Sequence, residues 1–250
     1  MNLLLFASNE IKSDGTVCLQ DRRSEHIIKI LGCKPGDTVR AGIINGPLGR
    51  GEIVSIRRMG NNNTEVVLRF SATGDPPEHP SVDLILGLVR PIMLKKVLSQ
   101  VASLGVGRIF LINGNRVEKS FFGASLLKGE NYRPYLVQGL EQAKDTLLPE
   151  VTIHERFKPF IEDFIPTVAG EYDRMLVAHP DSSTDLKQIL GSTAKGRMLL
   201  AVGPEGGWVD FEIRKFIEFS FAPVSLGRRV LRTDTAVVAL LAQLMLMQEK

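Results

Sequence analysis

One short segment, about a third of the way along this chain, can form neither a helix nor a strand. Thr73 to Pro80 contains three prolines and one glycine in eight residues. Proline lacks the backbone N–H that both elements use, so regular structure has to stop before this segment and start again after it. We therefore expect two domains in the 250 residues, residues 1–72 and residues 81–250, joined by a linker over residues 73–80.

The first domain shows short runs of β-type residues separated by turn residues. Ser24 is positioned to cap one helix that ends near Leu31, and Asn45-Gly46 is typical of a hairpin turn. Another turn is expected at residues 60–63. Five strands and one helix in about seventy residues predict a small barrel. The predicted strands are Leu3–Ala7, Thr16–Leu19, Thr38–Ile44, Gly51–Arg57 and Thr64–Phe70.

The second domain alternates strand-type and helix-type segments. Val82–Val89 is a nearly continuous apolar run, which is typical of a strand buried on both faces. Such alternation predicts an α/β domain with a mostly parallel sheet. The other predicted strands are Arg108–Ile112, Val151–His154, Asp173–Ala178, Arg197–Val202 and Phe221–Ser225. The predicted helices run from Pro91 to Gly105 and over Tyr132–Lys144, Phe157–Ile165, Thr184–Leu190, Asp210–Phe219 and Thr233–Gln248.

Composition limits the class of protein. Hydrophobic residues make up 44% and charged residues 24% of the chain, a balance that excludes whole-chain disorder, collagen and coiled coil. The net charge of +3 permits contact with nucleic acid without requiring it. No apolar run is long enough for a signal peptide or a membrane span, and the two cysteines suggest no disulfide framework. The four histidines show no metal-ligand spacing, so we expect a cytoplasmic protein without a metal site.

Two loops near the C-terminus are the strongest candidates for a binding site. The first is Gly203–Trp208, which follows a predicted strand and contains three glycines. The second is Leu226–Thr235, with three arginines before a predicted helix start, where anions often bind. Alone, the first could be a tight turn and the second a solvated basic loop. Together they follow successive strands, and ligands of parallel sheets bind at the carboxyl ends of strands.

The last predicted helix is unusually apolar. From Ala236 to Met247 only Gln243 is polar. A helix that is apolar on all sides has to be buried, either in a core or against another subunit. Because this helix ends the sequence, we expect it to form the interface of a homodimer.

The two loops together resemble the RsmE family of the SPOUT superfamily. The resemblance lies in Gly203-Pro204-Glu205-Gly206-Gly207 and in the run from Leu226 through Arg232 to Thr235. It implies a PUA-like RNA-binding barrel followed by a methyltransferase domain with a trefoil knot, a rare exception to unknotted folds. It also implies a homodimer that methylates uridine N3 in small-subunit ribosomal RNA, using S-adenosylmethionine as cofactor.

The same resemblance, together with the chemistry of methyl transfer to uridine N3, implies specific site residues. The cofactor is expected to be held largely by backbone groups of these loops and the strands before them. Arg232 and Glu141 are the expected catalytic residues, Arg232 as a fixed positive charge and Glu141 as the base. For Arg232 the alternatives are a phosphate contact or a cap on the neighbouring chain, and Glu205 is a second candidate base that could instead hold its own loop. The expected cofactor-binding residues are His179, Pro180, Leu200, Ala201, Val202, Gly203, Pro204, Glu205, Gly206, Gly207, Leu226, Gly227, Val230, Leu231 and Thr235.

Binding of RNA has to come from local basic residues, since neither half of the chain is strongly basic. The candidates are Arg22, Arg23, Lys29, Arg50 and Arg228. Several basic positions of the family pattern are replaced here, by Gly32, Met93 and Asp145. Two alternatives therefore stand beside the leading hypothesis. One is a SPOUT methyltransferase acting on another RNA site, and the other is a non-catalytic RNA-binding assembly factor.

Overall fold

The computed structural model describes residues 2–59, 63–75, 77–78, 80–190 and 196–248. Most of the turn predicted at residues 60–63, and the linker residues Pro76 and His79, lie outside the described residues. The chain forms two compact units. The first contains Met1–Glu78 together with Val137–Leu148, and the second contains His79–Leu136 and Pro149–Lys250. The first unit thus includes a later segment that the sequence did not assign to it.

The N-terminal unit is built on one five-stranded sheet. Its strands are β1 (Leu4–Phe6), β2 (Thr16–Leu19), β3 (Thr38–Ile43), β4 (Leu48–Met59) and β5 (Asn63–Ala72), in the order β1-β3-β4-β5-β2. The pairs are antiparallel except β1 with β3. One cluster of buried apolar side chains, including Phe6, Leu19 and Leu68, forms the core. The five predicted strands are present, while closure of the sheet into a barrel remains a prediction.

The helix of this unit begins two residues before the predicted cap. Helix α1 (Arg22–Glu25) continues into a π-helical turn over His26–Ile30. Its N-cap is Asp21, whose carboxylate accepts a 2.8 Å hydrogen bond from the backbone N–H of Arg23. Ser24 instead donates its hydroxyl to the carbonyl oxygen of Asp21. Asp is as good a cap as Ser, so the pattern alone could not decide between them.

The later segment is tied to the N-terminal unit by specific hydrogen bonds. It contains the C-terminal part of helix α4 (Arg133–Ala143) and the residues that follow. Thr146 donates its hydroxyl to the carbonyl oxygen of Gly46 at 2.7 Å, and its own carbonyl oxygen accepts from the Asn45 N–H at 2.8 Å. These bonds satisfy the polar groups of the turn between β3 and β4.

The C-terminal unit is built on a six-stranded sheet in which every recorded pair is parallel. The strand order is β11-β9-β10-β6-β7-β8. This confirms the predicted α/β domain. The strands are β6 (Val82–Gly87), β7 (Arg108–Ile112), β8 (Glu150–His154), β9 (Arg174–Ala178), β10 (Met198–Val202) and β11 (Ala222–Val224).

Further helices connect these strands, in addition to α4. They are α2 (Pro91–Ser103), α3 (Lys119–Phe122), α5 (Phe157–Pro159), α6 (Ile165–Val168), α7 (Leu186–Leu190) and α8 (Asp210–Glu218). A π-helical turn (Phe160–Phe164) joins α5 to α6. Segments of 3-10 helix occupy Ser8–Glu10, Ser125–Glu130 and Ala169–Glu171. The short helix α3 and the Ser125–Glu130 turn were not predicted.

A buried ion cluster holds the amino ends of the central strands. The Asp83 side chain on β6 is fully buried and lies 2.9 Å from both Arg108 Nε and Arg197 Nη2. The Tyr172 hydroxyl donates to the same carboxylate at 2.6 Å. Burial and the Asp83 carboxylate both raise the pKa of Tyr172. The cluster satisfies a charge that would otherwise be costly inside the sheet.

The last helix, α9 (Thr233–Gln248), has the predicted bounds, but it is not buried on all sides within the chain. Val237, Leu240, Leu241 and Leu244 are buried within the chain itself, whereas Leu246 is 68% exposed. The helix therefore has a buried face and an exposed face, both largely apolar. None of the helices in the described ranges is long and apolar enough to cross a membrane.

Candidate functional site

A cavity of about 320 Å³ lies where the segments after β9, β10 and β11 come together. Pockets that hold small molecules commonly have volumes of this order. The cavity lies at the carboxyl ends of parallel strands, as ligand sites in such sheets do. It is lined by both loops singled out from the sequence, by Ala178 to Asp181, and by Arg116, Asp210, Thr233, Ala236 and Leu240.

The glycine-rich loop is shaped by close backbone contacts. A Cβ on Gly87, at the end of β6, would lie 2.4 Å from Pro204 Cδ, so the loop passes directly over this strand end. A Cβ on Gly203 would lie 3.1 Å from the backbone nitrogen of Trp208. Gly207 has a φ of +72° and donates its N–H to the carbonyl oxygen of Pro204 at 2.8 Å. The glycines are thus needed to form the loop itself.

Two arginines that sequence analysis did not select hold this loop in place. Arg116 Nη1 donates a hydrogen bond of 2.6 Å to the carbonyl oxygen of Gly206, and Arg116 also lines the cavity. Arg90 donates from its backbone N–H and from Nε to Glu205 Oε1, at 3.2 Å each. This contact is of the kind expected if Glu205 holds its own loop. No sequence signal marks Arg116, because the loop that contains it follows β7, far away in sequence.

A buried carboxylate positions the segment that contains Arg116. Glu212, on the first turn of α8, is 2% exposed. Its Oε1 accepts a 2.6 Å hydrogen bond from the Asn115 N–H, and its Oε2 accepts from the Val209 N–H at 2.9 Å. Glu212 therefore connects the start of α8 to the residue next to Arg116. Such hydrogen bonds to a charged acceptor are stronger than those between neutral groups.

Gly206 is packed against the side chain of Arg116. A Cβ there would lie 3.0 Å from Arg116 Cβ and 3.1 Å from Arg116 Cδ. A larger residue at position 206 would therefore displace Arg116 before it could occupy space needed by a ligand.

The second loop contributes a mixture of apolar and basic groups. Gly227 has a φ of +97°, which disfavours any other residue, and no atom lies within 4 Å of the position of a Cβ on it. Leu226 and Leu231 line the cavity, and so does Arg229. Val230 also lines it and is 80% exposed. Of the arginines in this loop, Arg229 rather than Arg228 is therefore beside the cavity.

Most of the expected cofactor-binding residues come together around this cavity. Leu200 and Ala201 do not, because both are fully buried inside β10. Among the described residues of this strand, Val202 is the one that lines the cavity. Thr235 is exposed on the first turn of α9 and is also outside the described lining. The residues that do line the cavity are His179, Pro180, Val202, Gly203, Pro204, Glu205, Gly206, Gly207, Leu226, Gly227, Val230 and Leu231.

Arg232 lies in sequence between Leu231 and Thr233, which line the cavity, but it is not among the described residues that line it. Its side chain is 76% exposed, and its Nε lies 3.7 Å from Asp234 Oδ1. Asp234 is held more closely by Lys96, whose Nζ lies 3.0 Å from Asp234 Oδ2. The hydrogen bond from Lys96 is the main reason why the pKa of Asp234 is below its ordinary value. Arg232 thus presents a guanidinium to solvent near a fixed carboxylate.

Glu141 has a different environment from the one expected of a catalytic base. It is 1% exposed and belongs to the N-terminal unit. Both of its carboxylate oxygens accept hydrogen bonds of 2.9 Å from the guanidinium of Arg22. Burial raises the pKa of this carboxyl, and Arg22 opposes that effect. A carboxylate enclosed and engaged in this way is poorly placed to accept a proton from a substrate.

The expected RNA-binding residues differ from one another in their exposure and in their ion pairs. Lys29 is exposed, with Glu25 at 3.6 Å, and Arg50 is exposed on β4. Arg22 is half exposed but pairs with Glu141. Arg23 is 12% exposed, and its guanidinium bonds to Glu10, Asp21 and the Leu5 carbonyl oxygen. Arg23 is therefore an internal structural residue, and the prediction that it contacts RNA is not supported by its position.

Comparisons with known proteins agree on one family. The family model of the RNA methyltransferase domain matches residues 77–245. Ribosomal RNA small subunit methyltransferase E of Treponema pallidum is 32% identical over 96% of this chain and 88% of its own length. Ribosomal RNA small subunit methyltransferase E 1 of Borreliella burgdorferi is 27% identical over 96% of this chain and 95% of its own length.

A solved structure shares the fold. It is that of a ribosomal RNA small subunit methyltransferase E from Neisseria gonorrhoeae bound to S-adenosyl methionine. The TM-score is 0.78 at 21% identity, over 99% of this chain and 98% of the other.

Proposed function

Because the chain belongs to the RNA methyltransferase family that includes the ribosomal RNA small subunit methyltransferases E, we propose that it methylates small-subunit ribosomal RNA at uridine N3. The methyl donor is S-adenosylmethionine. The observation that carries this proposal is the cavity shared by the Gly203–Gly207 loop and the Leu226–Leu231 segment. Both loops come from the end of the chain, and the family's resemblance rests on them.

The residues around the cavity suit a ligand with an apolar ring system and charges of both signs. Val202, Leu226 and Leu231 offer apolar surface, and the glycines expose backbone groups. Carboxylates and guanidinium groups occur together in the described lining, so neither sign dominates. When bound, S-adenosylmethionine supplies an electrophilic methyl group on a sulfonium. The trefoil knot implied by the resemblance is part of this proposal, and the convergence of three segments on one cavity is consistent with it.

Arg232 is the residue proposed to act on the reacting nucleotide. N3 of uridine becomes nucleophilic as its proton passes to a solvent water, and negative charge then spreads onto O2 and O4. A guanidinium keeps its charge at all ordinary pH values and can stabilise that oxygen charge without a proton transfer of its own. The exposure of Arg232 leaves it accessible to a large substrate such as RNA. Glu141 is assigned a structural role in this proposal, since it is engaged by Arg22.

We also propose that two copies associate through α9, in the cytoplasm. The support is the apolar character of the exposed face of this helix, with Leu246 68% exposed. Ile92, at the start of α2, is 77% exposed, and α2 packs against α9. Large apolar side chains exposed on neighbouring helices favour a contact between identical surfaces.

The test is the methylation of ribosomal subunits and free RNA from a strain that lacks the gene. Purified protein is incubated with each substrate and S-adenosylmethionine, and nucleosides are identified by mass spectrometry. We expect N3-methyluridine at one position of the small-subunit RNA. Another methylated nucleoside or another RNA would indicate the alternative methyltransferase. Binding of RNA without any methylation would indicate a non-catalytic assembly factor.

A further inference from the structure

The N-terminal unit contains a second concave site, separate from the cavity of the C-terminal unit. It is a groove of about 460 Å³, formed entirely by residues of this unit. Its polar wall includes His26, Thr38, Arg40 and Lys144, and its apolar floor includes Leu31. We propose that this groove binds one nucleotide of single-stranded RNA, with its phosphate on Arg40 and Lys144 and its base on the apolar floor. The proposal deepens the proposed function, since it takes RNA as the substrate.

The charge of the groove is the first reason. Arg40 and Lys144 are both exposed, and neither has a carboxylate partner among the described residues. None of the described residues that line the groove is acidic. In the β3–β4 register Arg40 is directly opposite Arg50 and Thr38 is opposite Glu52, so the neighbouring strand adds no net charge and the positive charge of the groove comes from Arg40 and Lys144. An unneutralised cluster of this kind attracts an anion.

The shape and floor of the groove are the second reason. Leu31, which is 46% exposed, supplies most of the accessible apolar surface, and Leu3, Leu4 and Val39 line the groove from almost fully buried positions. A phosphate alone gains nothing from such an apolar surface, whereas a nucleotide base does. Protein sites for single-stranded RNA bind unstacked bases on flat or apolar surfaces and on Arg planes. The groove has room for one nucleotide and not for a duplex.

His26 is the third reason. His26 is one of the residues that line the groove, and its Nε2 is buried with no hydrogen-bond partner in the described part of the chain. Buried polar groups in native proteins are nearly always hydrogen-bonded, so an unpaired one at a groove wall requires an explanation. His26 also begins the π-helical turn His26–Ile30, and such turns occur frequently at functional sites. A bound base, after a small shift of the ring, supplies the missing partner.

The proposal is tested by fluorescence anisotropy of a labelled short oligouridylate with the full-length protein, measured across a salt series. The double variant Arg40→Gln, Lys144→Gln removes both proposed phosphate contacts while keeping side chains of similar reach. For single-stranded RNA, each phosphate that is no longer neutralised lowers the slope of log K against log salt by about 0.7. We therefore expect the slope to fall by roughly 1.4. His26→Phe is expected to weaken binding about two- to tenfold without changing the slope.

Arg58→Gln is the matched control, because Arg58 is exposed on β4 of the same unit and is not among the described lining residues of the groove. It makes the same kind of charge change and is expected to keep the wild-type slope. An unchanged slope in the double variant, or an equal fall in Arg58→Gln, would overturn the proposal. Competition by inorganic phosphate as strong as that by uridine monophosphate would also overturn it, since the base would then contribute nothing.

Calorimetry with S-adenosylmethionine separates this proposal from the function proposed above. All three variants are expected to bind the cofactor as the wild type does, because the groove and the cofactor cavity share no residue. Failure of the wild type to bind S-adenosylmethionine would contradict the proposed function. The oligouridylate result would still decide whether the groove binds RNA.

Discussion

Arg116 Nη1 and the carbonyl oxygen of Gly206 are joined by a hydrogen bond of 2.6 Å, across ninety residues of sequence. The same arginine lies 3.0 Å from where a Cβ on Gly206 would be. The loop after β7 and the glycine-rich loop after β10 are therefore fitted to each other. The conformation of the glycine-rich loop depends on this contact as well as on its own glycines.

We predict that Arg116→Ala weakens S-adenosylmethionine binding about tenfold, because a hydrogen bond from a charged donor contributes about 1.5–3 kcal/mol and this one is partly exposed. The melting temperature should change little, since Arg116 is not part of the core. Calorimetry measures the affinity. Arg156→Ala, which removes an exposed arginine elsewhere in this unit, serves as the control. Wild-type affinity in Arg116→Ala would show that the loop keeps its conformation without the arginine.

Arg232→Ala is expected to leave S-adenosylmethionine affinity unchanged and to lower the single-turnover rate at saturating RNA about 10²–10³-fold. Loss of one preorganised charge has an effect of this size on the chemical step. Arg228→Ala, in the same loop, should affect mainly RNA binding. A nearly normal rate for Arg232→Ala at saturation, with weaker RNA binding, would reduce Arg232 to a phosphate contact.

For the dimer, the informative positions are on the exposed face of α9. Leu246→Glu should give a folded monomer by light scattering, because a charge on this face opposes association. Leu240→Glu should instead unfold the protein, since Leu240 is 1% exposed within the chain. If Leu246→Glu still forms dimers, with the same dependence on protein concentration as the wild type, the interface lies elsewhere.

Substituting Arg22 and substituting Glu141 should lower the free energy of unfolding by different amounts. Arg22→Ala leaves a buried carboxylate without its partner and should cost about 1–3 kcal/mol of unfolding free energy, reduced from the fully buried case because Arg22 is half exposed. Glu141→Gln removes the buried charge itself and should cost less. Urea unfolding measures both. Glu141→Gln should also keep its single-turnover rate, and a large loss of that rate in a folded variant would restore Glu141 as the base.

His154 predicts how stability depends on pH. Its ring packs 4.6 Å from Phe160 and 4.7 Å from Phe164 between centroids, and burial lowers its pKa below the ordinary 6.5. The unfolded chain then binds the proton more readily, so this contribution to stability is present above pH 6.5 and is lost as the pH falls through that value. Urea unfolding at several pH values should show a smaller loss in His154→Gln. Lys128→Gln, at an exposed position of the same unit, keeps the imidazole and its contacts and should retain the wild-type dependence.

Local sequence patterns were sufficient for the strands and for the longer helices. Val82–Val89 was identified as a strand because a buried parallel strand is apolar throughout, and α9 has the predicted bounds because Thr233 follows a non-helical loop. Short helices such as Lys119–Phe122 were missed because a single turn has no periodicity to detect. The apolar run of α9 indicated burial but did not reveal that only one face is buried in the chain.

The site was predictable where it depends on loops and strand ends, and not where it depends on distant contacts. The glycines of the first loop and the position after a strand pointed to the cavity. Arg116 and Arg90 reach this loop from other strands, and no local pattern records such a pairing. The environment of Glu141 was not predictable for the same reason, because its partner Arg22 is 119 residues away in sequence.

The division of the N-terminal unit into two segments affects how the protein can be made. Val137–Leu148 belongs to this unit, yet all of His79–Leu136 is translated before it. A nascent chain cannot complete its first unit until residue 148 has emerged from the ribosome, unlike a protein whose domains fold one after another. A gene fragment that stops at the proline-rich segment would encode Arg22 without Glu141, and Gly46 without Thr146. The N-terminal unit therefore cannot be produced by translating the first 78 residues alone.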